Sequence, residues 1–353
     1  MTAPFLGVVI VAYNSADVIL DCLESLLGSS GVRLCVAIVD NASTDTTVAD
    51  LRGWASGRAG YVASVDLPFK VLPSAKPLTL HDEADLSDIS GHRLTLIETG
   101  SNGGFAAGVN RGLAFLAKQP EIDRFWILNP DSVVPPETAL AFATEPAPVE
   151  GFALMGGRVL YLDTPDVIQI DGGTIDRRSG VTHNVHLFAS HSATRPPDPT
   201  IFNFITGASM VASRTFLEAA GPMQEDYFLY YEEVDWAQRR GNLPLIYCEM
   251  GVVFHRTGTA IGSPTKDRPA SPFSLYFKHR GRMRFVRRHF PRNLPLAYAW
   301  SFAKAGQILL KGYPFEAWTM LLGSLGAPPP ASVRKRLSAD AAASAFGRPA
   351  SGS

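Results

Sequence analysis

Short, unbroken apolar runs alternate with stretches in which apolar residues recur every three or four positions. "FLGVVIVAYN", "RLCVAIVD", "RLTLIET" and "RFWILN" are runs of strand length. Between them Val18, Ile19, Cys22, Leu23, Leu26 and Leu27, then "VADLRGWA" and "GVNRGLAFLAK", carry the helical period. Strands that alternate with helices predict a parallel sheet with crossover helices. Ser15 is expected to cap the first helix, and Pro135 and Pro136 to open another. Residues 53–92 break the rhythm with Gly, Pro, Ser and Asp, and are expected to form a surface insertion. Further on, "FALMGGRVLYLD", "VIQIDGGTID" and "FNFITGASMVAS" predict a smaller mixed sheet. Ser213 would cap a short helix ending at Gly221, and "YYEEVDWAQRRG" a helix closed by Gly241. Residues 273–326 read as helical, and the Pro-, Ala- and Ser-rich tail from Ala327 as disordered.

An open parallel sheet binds ligands beyond the carboxyl ends of its strands. Asn14, Asp40, Gly100 and Asp131 follow the first four strands and should line one crevice. A single Asp there is commonly a cap or turn residue; four polar strand ends in series favour a site. "NGGFAAGVN", Asn102 to Asn110, offers bare backbone N–H groups at a helix start, a setting suited to phosphate, although tight packing also calls for glycine. It is not GxGxxG, which argues against a nicotinamide dehydrogenase. "LNPDS" sets Asn129 and Asp131 two apart, either as a Pro-Asp turn or as oxygen ligands for a hard cation. Glu232, Glu233 and Asp235 share one helical turn behind aromatics, so one of them could act as a general base. His255 ends another apolar run, as a structural residue or as a nitrogen ligand.

Composition narrows the classes. With 32 Lys and Arg against 33 Asp and Glu, the chain lacks the basic excess of a nucleic-acid-binding surface. At 353 residues and 46% hydrophobic, it can bury a large core. Cys22, Cys35 and Cys248 are too scattered for a metal spacing or a disulfide framework, and buried thiols are expected. "MTAPFLGVVIVAYN" reads as a first strand rather than a signal peptide, and no apolar stretch reaches the roughly 20 residues of a spanning helix. A cytoplasmic protein is the expectation.

Together, "VVIVAYN", "IVDNASTD", "NGGFAAGVN", "LNPDS", "FLYYEEVDWAQR" and "VVFHRTG" stand in the order seen in family 2 of the inverting glycosyltransferases. From about Val8 to Gly258 the chain resembles that family, and most of all its bacterial rhamnosyltransferase-like branch. The resemblance implies an α/β fold of the GT-A type: a mostly parallel nucleotide-binding sheet flanked by helices, a smaller mixed acceptor-side sheet and a helical C-terminal region. Residues 1–262 would be the transferase domain, with 1–132 the donor half and 133–262 the acceptor and catalytic half. A helical basic-aromatic region over 263–326 and a tail over 327–353 would follow.

By resemblance, Asp40 contacts the base of a nucleotide sugar, where a carboxylate can accept the ring N3–H of uracil or thymine. Tyr13, Asn14, Asn41, Asn102, Gly103, Gly104, Asn110 and Asn129 would complete the donor site. Asp131 would hold Mg²⁺ or Mn²⁺ with His255, although Asn129 stands where the family's first metal-motif Asp would be. Glu233 would be the catalytic base, a Glu in place of the more usual Asp, with Glu232 and Asp235 as alternatives; Asp235 could instead orient the acceptor or pair with Arg239. The implied reaction moves a sugar, with dTDP-rhamnose favoured and UDP-galactofuranose or another UDP-hexose as alternatives, to a glycan or a polyprenyl-diphosphate-linked glycan. A catalytically inactive nucleotide-sugar-binding scaffold is the alternative of another class. Arg280, Arg284, Arg287 and Arg288 share one side of a predicted helix. That side is either a solvated basic face packed on the domain or an interfacial helix that would place the protein peripherally on the inner face of the plasma membrane, against anionic lipid.

Overall fold

The computed structural model describes residues 3–84, 91–256 and 270–347. The first half is the expected alternation. β1 (Phe5–Ala12), α1 (Ile19–Leu27), β2 (Arg33–Asp40), α2 (Thr47–Ala55), β3 (Leu80–Asp82), β4 (Arg93–Glu98), α3 (Phe105–Leu116) and β5 (Arg124–Leu128) follow in order. Neighbours β3-β4-β2-β1-β5 pair in parallel. The central strands β1, β2 and β5 are apolar along their interiors because both faces are covered. Val9, Val11, Ala37 and Val39 pack with Val109 and Leu113 of α3 on one side. Leu6, Val8, Ile10, Val36 and Ile38 pack with Leu23, Leu26 and Leu51 on the other. Gly108 lets α3 lie close on β1, since a Cβ there would come within 2.5 Å of a Val11 methyl.

β6 (Ser132–Val133), α4 (Thr138–Thr144), β7 (Leu154–Tyr161), β8 (Ile168–Ile170), β9 (Gly173–Asp176), β10 (Val181–Asn184), β11 (Ser209–Ser213), α5 (Arg214–Ala220), α6 (Glu232–Gln238) and β12 (Ile246–His255) make the second half. Its mixed strands do not form a separate sheet. β11 pairs antiparallel with both β5 and β7, so the order continues as β5-β11-β7-β12-β6 with β8 on β7, one sheet of ten strands. The sequence signals strands but not which edge they join. Among the described residues only the β9–β10 hairpin stands apart. Between β7 and β8 the buried Arg158 holds Asp171 through both carboxylate oxygens, at 2.8 and 2.9 Å. Tyr247 and His186 bond the same carboxylate.

Several local expectations shift. The Ser15 hydroxyl accepts from the Tyr13 N–H instead of capping α1. Ser213 does cap α5, and Gly221 follows it with positive φ. α6 ends at Gln238, short of Gly241. The 53–92 segment begins inside α2, and parts of it are bound to the buried acids of α1. Tyr61 and Ser64 bond Asp21; Ser74 and Lys76 bond Glu24.

The C-terminal region is α7 (Pro272–His289), α8 (Leu294–Leu310), α9 (Pro314–Leu325), α10 (Ala331–Arg334) and α11 (Ala339–Phe346). The tail was expected to be disordered, yet through Phe346 it is helical. Val333, Ala341 and Ala345 are buried against Phe273, Tyr276 and Phe277, because small residues at helical spacing fill a groove that aromatics open. Residues 85–90 of the insertion, the 262/263 boundary, Thr257 and Gly258 of the last motif, and 348–353 lie outside the described residues.

Amide hydrogens of α11 should therefore be protected from exchange, and Phe346→Ala, which strips the ring from Tyr276 and Phe277, should remove that protection. A tail exchanging at the free-chain rate in the unaltered protein would contradict the packing.

Candidate functional site

The tip of β2 is built from side chains that serve one another. Asp40 is 4% exposed, and among the described residues its carboxylate accepts only the Ser43 N–H, at 3.1 and 3.4 Å. Asn14, at φ 50°, accepts the Thr44 N–H at 2.7 Å, which ties the end of β1 to the 41–45 turn. Tyr13 is half-buried beside it. Asn41 and Asn102 are both buried. Asn41 donates to Asn102 Oδ1 and to the Gly104 carbonyl, and Asn102 accepts the Gly104 N–H at 2.9 Å. Their amides shape the Gly103–Gly104 turn and are occupied in doing so.

That turn is bolted to the second half of the chain. Phe105 N–H donates to the Phe228 carbonyl at 3.0 Å. Gly104 sits at φ 89°, and a Cβ there would lie 2.3 Å from the Phe228 oxygen, so only glycine fits. Asn110 departs from its expected role. Its amide donates to the Met223 carbonyl and Glu225 and accepts the Met223 N–H, so it fastens α3 to the 223–225 turn with both amide atoms engaged.

Beyond Phe228 the backbone is strained. Phe228, Tyr230 and Tyr231 have φ of 67°, 67° and 77°, a region bulky side chains seldom enter. These turns deliver α6 with three acids at its start. They have separate fates. Asp235 is fully buried and saturated: Tyr227, Arg239, Arg288 and His289 all bond its carboxylate, at 2.8–3.1 Å. Burial alone would push this carboxyl up; the hydrogen bonds from His289 and Arg288 and their charge outweigh it and hold it below the usual range. Asp235 is thus a structural anchor and not a catalytic candidate. The pairing with Arg239 follows from i,i+4 spacing, whereas Arg288 and His289 come from α7.

Glu232 is 3% exposed, and its Oε2 has no hydrogen-bond partner among the described residues. Burial, then the neighbouring Glu233 charge, raises its pKa well above the ordinary value. Glu233 is only partly buried. Burial raises it too, opposed by backbone N–H groups and by Lys278 of α7, which sequence reasoning did not single out. Glu233 lies beside Gly207, which also neighbours the Phe105 ring. The adjacent Ala208 carbonyl accepts the Asn129 N–H. A continuous run of contacts therefore links the β2 tip, the glycine turn, Glu233 and the end of β5.

There His255 Nε2 lies 3.1 Å from Asp131 Oδ1 and 3.2 Å from Asn129 Nδ2. Its Nδ1 faces Gln169 Oε1 at 2.9 Å, so in the neutral ring Nδ1 carries the proton and Nε2 presents its lone pair. Two lone-pair atoms 3.1 Å apart need a proton or a cation between them. The donor set fits a divalent cation that takes one carboxylate, one imidazole and otherwise ligand phosphate and water oxygens. Among the described residues no three His, Cys, Asp or Glu side chains cluster as a closed metal cage. Gln169, from β8, gave no motif signal; only the pairing of both β8 and β12 with β7 brings it to His255. Next to His255, Arg256 binds Asp131 through the backbone and Ser64 through its side chain.

Compared with known proteins, residues 7–71 match the family model described as Glycosyl transferase family 2. The chain is 23% identical over 281 residues to the low-salt glycan biosynthesis hexosyltransferase Agl10 of Haloferax volcanii, covering 78% of this chain and 74% of that one. Among solved structures it is similar to the mannosyltransferase PcManGT of Pyrobaculum calidifontis, in complex with GDP-Man and Mn²⁺, with 16% identity, TM-score 0.48 and coverage of 92% and 86%. It is also similar to residues 1–349 of TarS from S. aureus, with 15% identity, TM-score 0.48 and coverage of 94% and 83%.

Asp235→Asn should cost about 3 kcal/mol in urea unfolding at neutral pH, since it strips the charge that Arg288 and Arg239 face. A carboxyl with a depressed folded-state pKa stabilises above its unfolded value of about 3.9 and stops doing so as pH falls through the folded value. The gap between the two proteins should thus narrow below about pH 4; a gap independent of pH would remove Asp235 from this role.

Proposed function

We propose that the chain, whose residues 7–71 match the Glycosyl transferase family 2 model, transfers a hexose from a nucleotide-diphosphate sugar to a glycan hydroxyl, with inversion. The donor we favour is dTDP-rhamnose, in keeping with the order of motifs from "VVIVAYN" to "VVFHRTG". The acceptor we favour is a glycan carried on a polyprenyl diphosphate, in cell-surface polysaccharide synthesis. One observation carries the reading: Glu233, the less buried member of an acid pair, neighbours Gly207, which also neighbours the Phe105 ring of the donor turn and precedes the Ala208 carbonyl that bonds Asn129.

Glu233 takes the proton from the acceptor hydroxyl as that oxygen bonds to the anomeric carbon. The bond from that carbon to the diphosphate oxygen breaks, and its electron pair leaves with the nucleoside diphosphate. No covalent nucleophile is required. The partial burial that raises the Glu233 pKa makes it a stronger base, and burial raises the neighbouring Glu232 as well. Asp40 accepts the ring N3–H of the pyrimidine, and Asn14, Asn41 and Asn102 hold the turns that wall the base and ribose. Asp131 and His255, with Gln169 fixing the imidazole, would hold Mg²⁺ or Mn²⁺. That ion would neutralise charge on the departing diphosphate.

Glu233→Gln should lower kcat by roughly 10²–10⁴-fold with donor affinity unchanged, while Glu232→Gln keeps most activity. The acid limb of kcat/KM should lie above pH 4.5, the ordinary glutamate value from which Glu233 is raised. Full turnover by Glu233→Gln would refute the assignment, and no turnover by the unaltered chain would favour a binding scaffold. Calorimetric titration with dTDP, UDP and GDP, each with and without Mn²⁺, tests the donor. Asp131→Ala should weaken dTDP binding only when Mn²⁺ is present; equal loss with a chelator would argue against a metal role.

A further inference from the structure

Arg280 and Arg282 of α7 face inward, whereas Lys278, Arg287 and Arg288 lie at the surface. Arg280 donates to the Ala345 carbonyl and Arg282 to the Ser179 carbonyl and the Ser301 hydroxyl, both buried, and Arg288 bonds Asp226 and Asp235. The helix read either as a basic face packed on the domain or as an interfacial helix is the hub of the C-terminal packing. A different surface is uncovered. Of the fourteen large hydrophobic side chains exposed among the described residues, seven lie between Leu294 and Leu325. Such a concentration in two helices is not scattered surface apolarity.

α8 is apolar on both sides, and the fold covers one. Ala305 and Ile308 pack on Leu275, Ala317 and Met320, with Ala297 and Ser301 also buried. Opposite them Leu296, Ala299, Phe302 and Ala303 recur at helical spacing and lead to Leu309 and Leu310, the last 90% exposed. α9 adds Phe315 and Trp318, the latter 56% exposed. Lys304 and Lys311 stand exposed among these residues, and Arg287 and Arg292 precede them. From Pro272 to Phe315 the sequence has no Asp or Glu.

We propose that the α8–α9 hairpin docks in the plane of an anionic lipid bilayer, with Leu310 and Trp318 in the acyl–headgroup boundary and Lys304 and Lys311 at the phosphates. Neither helix is long and apolar enough to cross a membrane. An amphipathic hairpin with aromatics on its apolar face and lysines reaching past them binds the interface instead. A second copy of the chain is the poorer fit. Self-association through this face would set lysine against lysine with almost no acid to pair, whereas anionic headgroups supply the missing charge. The inference stands on this surface and not on the transfer reaction.

The test is co-sedimentation of the full chain with phosphatidylcholine vesicles, with and without phosphatidylglycerol. The unaltered protein should bind the anionic vesicles and release as salt rises. Leu310→Glu and Trp318→Glu should each weaken partitioning about tenfold. Lys304→Glu with Lys311→Glu should weaken it about tenfold on anionic vesicles alone. Because these positions are exposed, Tm and calorimetric dTDP affinity should hold, which separates failure here from failure of the transferase reading. Absence of binding to anionic vesicles would overturn the proposal, as would binding unchanged by the variants. A dimer in sedimentation velocity that Leu310→Glu dissociates would assign the face to a second copy and also overturn it.

Discussion

A single buried carboxylate holds the second half of this molecule in register. Asp235 gathers Tyr227 from the turn before α6, Arg239 from its end, and Arg288 and His289 from α7, 53 and 54 residues away. A charge so deep is stable only because all of its partners are present at once. Satisfying it fixes α6 against α7, and therefore fixes where α6 must begin. The chain reaches that start through Phe228, Tyr230 and Tyr231 in left-handed backbone, a conformation tolerated because packing at both ends over-determines it.

The strained turn has a second fixed point in the first half of the chain. The Phe228 carbonyl accepts from Phe105 and presses on Gly104, whose own N–H and carbonyl are held by Asn102 and Asn41. The proposed base and the proposed donor turn thus share a rigid connection with no flexible side chain between them. Catalysis by positioning requires reacting groups held to within a fraction of an ångström. Backbone-to-backbone contact through a glycine meets that demand better than a pair of long side chains would.

Fold class was legible because its cause is local. Covered strands such as β1 and β2 must be apolar in an unbroken run, and period 2 assigns Val9 and Ile10 to opposite cores without further information. The polar strand ends Asp40 and Asp131 were legible for the same reason. What the sequence hid is relational. Gln169 gives no signal until β8 lies near β12, and Asn110 resembles any other amide until Met223 and Glu225 come up against it. The join of two sheets through β11 depends on edge pairing, which apolar pattern does not encode.

Arginine count misleads most where it is highest. The basic stretch of α7 invites a surface reading, because exposed cations cost little and buried ones cost a great deal. Yet burial pushes the Arg280 and Arg282 guanidinium groups down only to about 10, so both keep their charge at neutral pH, with carbonyl and hydroxyl oxygens taking their N–H groups. Their planar forks reach backbone acceptors in the tail, in the turn before β10 and in α8, where a shorter or apolar side chain would leave those oxygens unpaired. Lys304 and Lys311, the sparse lysines in and just after the apolar helix beside it, do face solvent. Charge density along a chain and charge on its surface are different quantities, and only packing converts one into the other.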